Sequence, residues 1–135
     1  MATKTFHGSC HCKAVRFEAD IDLSAGTSKC NCSYCGKVRG WGTVIKPAGF
    51  RLLSGEAALG EYQFGMLIGH HRFCRTCGVR VYSHGHLDVL GGDFVSIVLA
   101  TLDDLDPREL LGAPVMLCDG LNNAWHRAPE VTAHM

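Results

Sequence analysis

The chain has 135 residues, of which 47% are hydrophobic and 19% charged, enough for one domain with a real core and too few to expect two. Lys+Arg and Asp+Glu number 13 each, so the formal charge is zero, which disfavours a non-specific nucleic-acid binder. The opening MATKTFHGSC has no apolar signal core and no run approaches membrane-spanning length, so a cytoplasmic protein with no membrane partner is expected.

In chain order, most segments read as short strands. AVRFEAD alternates Val15, Phe17 and Ala19 against Arg16, Glu18 and Asp20, the period of a half-buried strand. GTVIK, FRLLSG, EYQFG and VRVYS are similar runs bounded by Gly, Ser or Pro. FVSIVLAT, residues 94–101, is apolar on both faces and predicts a central, buried strand. One helix start is well marked, with Asp106 as N-cap, Pro107 at the first helical position and Glu109 three residues after the cap. That short helix ends at Gly112, and Asp103 and Asp104 before it would complement its dipole. The pattern predicts a mainly β single domain over residues 1–135, with antiparallel sheets and short helical turns.

The chemistry is concentrated in the cysteines. They fall as CHC at 10–12, CNCSYC at 30–35, CRTC at 74–77 and a lone Cys118, eight in all. Their density is below that of a secreted disulfide scaffold, and C-x-C and C-x-x-C spacings in a reducing compartment indicate metal ligation or redox chemistry. Thiolate-bound zinc takes four ligands in a structural site, and three plus an open position in a catalytic one. The seven clustered cysteines divide naturally as four plus three. Cys10, Cys12, Cys74 and Cys77 can form a four-cysteine zinc site that staples two distant parts of the chain, where loop closure contributes most. Cys30, Cys32 and Cys35 then hold a second zinc with one position open. Two other divisions stand beside this one. The triplet could recruit His11, His70 or His71 and become structural, or it could join Cys74 and Cys77 as a zinc ribbon and leave Cys10 and Cys12 spare.

At these residues the chain resembles a known family. GSCHCKAVRFE, CNCSYCGKVRGW, HRFCRTCGVRVY and DGLNNAWHRAPE are similar to the glutathione-dependent formaldehyde-activating family, which includes centromere protein V. The resemblance spans nearly the whole chain in the right order. It implies a β-tent fold stapled by zinc, with a structural zinc on Cys10, Cys12, Cys74 and Cys77. It also implies a labile catalytic zinc on Cys30, Cys32 and Cys35, and formation of S-(hydroxymethyl)glutathione from formaldehyde and glutathione.

That chemistry is physically consistent with the ligand types. Thiolate is the nucleophile, free thiols are mostly protonated at neutral pH, and a thiol that coordinates zinc loses its proton. Three thiolates leave a divalent ion at about −1, so a bound substrate sulfur stays electron-rich; three histidines would suit hydroxide generation better. A loaded protein would carry about −3, which disfavours nucleic acid further. Lys29, Lys37, Arg39, Arg72, Arg75 and Arg80 either balance the thiolates on a solvated face or grip carboxylates of a substrate such as glutathione. His70, His71 and Tyr34 are candidate proton donors or ordinary strand and core residues. Trp41 and Trp125 read as core or pocket walls, and Cys118 as a small buried hydrophobe. Three functional classes remain: a zinc-dependent carbon–sulfur lyase or synthase joining a thiol to a small aldehyde, a non-catalytic zinc module, and a thiol redox enzyme resembling methionine-R-sulfoxide reductases. The last requires a reactive, metal-free cysteine, and only Cys118 is spare.

Overall fold

The computed structural model describes residues 3–135, and its ten strands lie in two sheets. β1 (Lys4–Ser9), β2 (Arg16–Ile21) and β5 (Phe50–Ser54) form a small antiparallel sheet in the order β1-β2-β5. The larger sheet contains β3 (Thr27–Cys30), β4 (Trp41–Ile45), β6 (Leu59–Tyr62), β7 (His70–Cys74), β8 (Arg80–Leu87), β9 (Gly92–Val98) and β10 (Val115–Cys118). Its order is β10-β3-β4-β9-β8-β7-β6. The mainly β, two-sheet architecture is the one expected, with one departure in detail: β10 joins β3 in parallel.

The alternation in β2 sets the core. Phe17, Ala19 and Ile21 are buried, whereas Glu18 and Asp20 point outward, where Arg51 of β5 holds both. Phe17 packs its ring across its register partner Gly8, where a Cβ would stand 2.2 Å from the ring. Only glycine permits that approach. Phe17 also meets Phe50, which in turn meets Tyr82 of the large sheet, so the two sheets share one core with Phe6, Val15, Val81 and Ile97. Truncating Phe17 to Ala would cost about 3–5 kcal/mol.

β9 is central and largely buried, as its apolar run predicts, but it stops at Val98. Leu99–Thr101 instead form a 3-10 turn, closed by the Thr101 hydroxyl donating to the Val98 carbonyl. The Asp106 capping box is present, yet Pro107–Gly112 winds as a 3-10 helix rather than an α-helix. Asp103 and Asp104 make their hydrogen bonds to β1 and the turn after it. Asp103 accepts from Ser9 and Lys13, and Asp104 from the backbone and ring of His7, tying the helix approach to β1. Among the described residues, no helix is long and apolar enough to cross a membrane.

Candidate metal centres and active site

The chain reversal after β1 carries Cys10 and Cys12, and the turn after β7 carries Cys74 and Cys77. These four sulfurs come together, each within 4.8 Å of the others. Cys10 and Cys12 place their Sγ atoms 3.7 Å apart, and Cys12 and Cys74 likewise 3.7 Å. A tetrahedron with about 2.3 Å zinc–sulfur bonds has sulfur–sulfur edges of about 3.8 Å, which these two edges match, so the donor set fits zinc. The C-x-C segment reaches this geometry in a turn. Backbone N–H groups support the anionic sulfurs. Val15 donates to Cys10, and Cys12 and Val79 donors hold Cys77 down at about 6. Despite a bond from Ala14, burial and the neighbouring thiols push Cys12 up to about 11, so without metal the cluster retains protons that an ion would displace.

Cys30, Cys32 and Cys35 form a second group within the same 4.8 Å limit, and it contains no histidine. Cys30 ends β3, opposite Cys118 of β10. Cys32 lies in the following turn, and Cys35 opens α1 (Cys35–Val38), a single helical turn that ends with Arg39 in the left-handed region. Two of the sulfurs meet a backbone donor two or three residues on: Cys32 N–H to Cys30 at 3.2 Å, and Cys35 N–H to Cys32 at 3.3 Å. The Cys35 thiol, with the Cys32 and Gly120 N–H groups, holds Cys30 down at about 6. Sharing that proton with Cys30, together with burial, pushes Cys35 far above the ordinary thiol range. Cys30 and Cys35 therefore share a proton that an entering ion would displace.

Residues with no obvious metal-ligand chemistry position this triplet. Asn31, between the first two cysteines, donates its amide to Asp119 at 3.0 Å and accepts the Leu121 N–H at 3.0 Å. Asn122 adds a second donor to the buried Asp119 carboxylate, which these two amides hold below the usual range. The signal for this brace is DGLNNAW, but nothing local in either segment announces that residue 31 meets residue 119.

The wall facing the triplet comes from β6, β7 and β8. The Tyr34 ring lies 4.2 Å from that of His71 and contacts Tyr62 and Phe64. Arg80 reaches this wall through a bulge. Arg72 pairs with Tyr82 while Phe73 pairs with Arg80, so Val81 is an extra residue and Arg80 and Ser83 face the same side although three positions apart. Arg80 Nη2 donates to Ser83 Oγ at 3.0 Å, and the same oxygen lies 2.8 Å from His71 Nδ1. The guanidinium sits 5.2 Å from the Tyr34 ring centre, and its buried Nε has no partner among the described residues. Burial, then the Arg80 and His70 charges, push His71 down to about 4, so its ring is neutral at pH 7.

Two cavities lie in this region, and the smaller one borders the triplet. One of about 100 Å³ is lined by Lys29, Cys30, Cys35, Arg39, Trp41 and His134. A larger one of about 560 Å³ runs from Val38, Gly40 and Arg80 to Cys10 and His11. Of the basic residues singled out in the sequence, Lys29, Arg39 and Arg80 border these spaces. Arg72 instead lies beside Glu61, and Arg75 donates to the Ala57 carbonyl. Trp41 is a cavity wall, its indole bonded to Thr27 Oγ1, whereas Trp125 is half exposed and covers Gly120. Burial and nearby Cys30 push the Cys118 thiol up, the opposite of what a redox nucleophile needs.

The chain belongs to the glutathione-dependent formaldehyde-activating enzyme family, whose sequence profile matches residues 5–116. It is also similar to the crystal structure of a Rhodobacter sphaeroides protein, at 30% identity and a TM-score of 0.67, over 82% of this chain and 99% of that one. Membership supports a glutathione-dependent formaldehyde-activating role at the level of the family.

Proposed function

We propose that this protein is a carbon–sulfur lyase of the S-(hydroxymethyl)glutathione synthase type, joining a glutathione-like thiol to a formaldehyde-like aldehyde. The observation that carries the reading is a cluster of three sulfurs, Cys30, Cys32 and Cys35, with no fourth protein donor among the described residues gathered to it and a cavity lined by Cys30 and Cys35 beside it. Zinc held by these three would supply an open position at which a substrate thiol is bound and loses its proton. A second zinc on Cys10, Cys12, Cys74 and Cys77 would be structural, since that set is complete by itself.

The remaining work falls to side chains of this chain. In the addition, the thiolate sulfur forms a bond to the aldehyde carbon, the carbon–oxygen π pair moves to oxygen, and that oxygen takes one proton. Arg80, held by Ser83 and lying against Tyr34, offers a fixed cation on the side where negative charge develops. His71, neutral and fixed through Ser83, and Tyr34, whose phenol burial keeps protonated, are the groups placed to pass the proton. The 560 Å³ cavity, which reaches Gly40 and Arg80 but is lined by none of the three sulfurs, falls within the volume range of small-ligand sites.

The test is formaldehyde consumption in the presence of glutathione, with and without the protein. The reading expects acceleration beyond the spontaneous reaction, abolished by EDTA. Absence of acceleration across a panel of small thiols and aldehydes would leave a zinc module that binds without turnover.

A further inference from the structure

A third group of ligand side chains lies on the face of β6, β7 and β8 that points away from the cysteine triplet. Strand register builds it. His70 pairs directly with His84, while Glu61 pairs with Arg72, two residues on from His70 and on the same face. Opposite and diagonal neighbours on one sheet face bring long side chains into reach. Glu61 Oε2 lies 3.1 Å from His70 Nδ1, and Oε1 lies 3.9 Å from His84 Nε2. One ligand atom from each residue falls within 4.8 Å of the other two. The imidazoles stack at 4.6 Å with their planes 2° apart. Tyr62 and His71, the next residues in the chain, turn the other way and contact Tyr34.

The geometry points to a divalent transition-metal site on Glu61, His70 and His84, separate from both cysteine groups. Two imidazoles and one carboxylate suit zinc, nickel or copper rather than calcium or magnesium, which favour all-oxygen sets. Three protein ligands on three adjacent strands leave coordination positions for water or a small ligand. The ion enters between His70 and Glu61, and the two rings turn out of their stack so that their nitrogens converge. Arg72 Nη1, 3.9 Å from Glu61 Oε1, opposes the ion, so the site binds more weakly than the four-cysteine cluster. An ion there ties together the three strands whose reverse face forms the Tyr62–His71 wall of the triplet.

The test is a calorimetric zinc titration of protein already loaded at its cysteines, followed in parallel by NMR of the histidine ring nitrogens. One further equivalent should bind, with the His70 and His84 nitrogens shifting together. His84→Ala and Glu61→Gln should each weaken that step at least tenfold while leaving cysteine-bound zinc unchanged. Glu61→Gln keeps the side-chain volume and serves if His84→Ala folds poorly. No further equivalent overturns the proposal. So does a further equivalent of undiminished affinity in both variants, or one that shifts only His7 or His86.

Discussion

Cys30 lies against the backbone of Gly120: a Cβ at residue 120 would stand 2.6 Å from the Cys30 sulfur and 2.6 Å from the Trp125 ring. Real Cβ atoms do not approach so closely, and Gly120 also gives its N–H to that sulfur. Gly120→Ala should therefore displace Cys30 and lower metal content by about one equivalent without emptying the four-cysteine site, whose residues lie elsewhere. Metal analysis beside a thermal melt checks it; unchanged metal content would mean that the 119–122 turn does not fix Cys30.

The two cysteine groups should fail differently. Structural zinc is worth about 10–16 kcal/mol in zinc-finger peptides, comparable to the whole stability of a domain at about 5–15 kcal/mol. Cys74→Ser, at a fully buried sulfur of the four-cysteine group, should therefore unfold or aggregate the protein. Cys32→Ser should leave a folded chain with about one zinc fewer and no activity. Circular dichroism and metal analysis compare the pair, and equal damage would argue against separate structural and catalytic roles.

His71 makes stability depend on pH. Its folded pKa of about 4 lies below the ordinary 6.5, so between those values the unfolded chain binds the extra proton. The stability this contributes is full above about pH 6.5 and is lost as pH falls toward 4. Arg80→Met removes one of the cations that depress His71, so the ring should then titrate at higher pH, as read by NMR. A His71 titration unmoved by that change would separate Arg80 from the Ser83–His71 unit.

Much of this was legible where periodicity and ligand chemistry act locally. The alternation of Val15, Phe17 and Ala19 marked the core face of β2, and the C-x-C and C-x-x-C spacings marked every sulfur that the fold later gathers. What escaped depends on partners distant in sequence. The end of β9 at Val98 is set by a turn whose apolar residues look like more strand. The parallel β3–β10 pair places Cys118 opposite Cys30, and the Asn31–Asp119 brace follows from that pairing. The bulge at Val81, which turns Arg80 toward the triplet, comes from strand register that VRVYS cannot express alone. His70 and His71 read as an undifferentiated pair, although strand alternation sends them to opposite faces.

The account turns on whether Cys30, Cys32 and Cys35 hold a metal that can still accept a substrate thiol. Zinc is spectroscopically silent, so the direct measurement places cobalt(II) in the triplet with zinc kept in the four-cysteine site. Adding glutathione should raise the sulfur-to-cobalt charge-transfer band by about one thiolate's worth, from three toward four, and release a proton. S-methylglutathione, which keeps the carboxylates but cannot form a thiolate, should leave the band nearly unchanged. A spectrum that already shows four strong protein ligands and responds to neither compound would contradict the account.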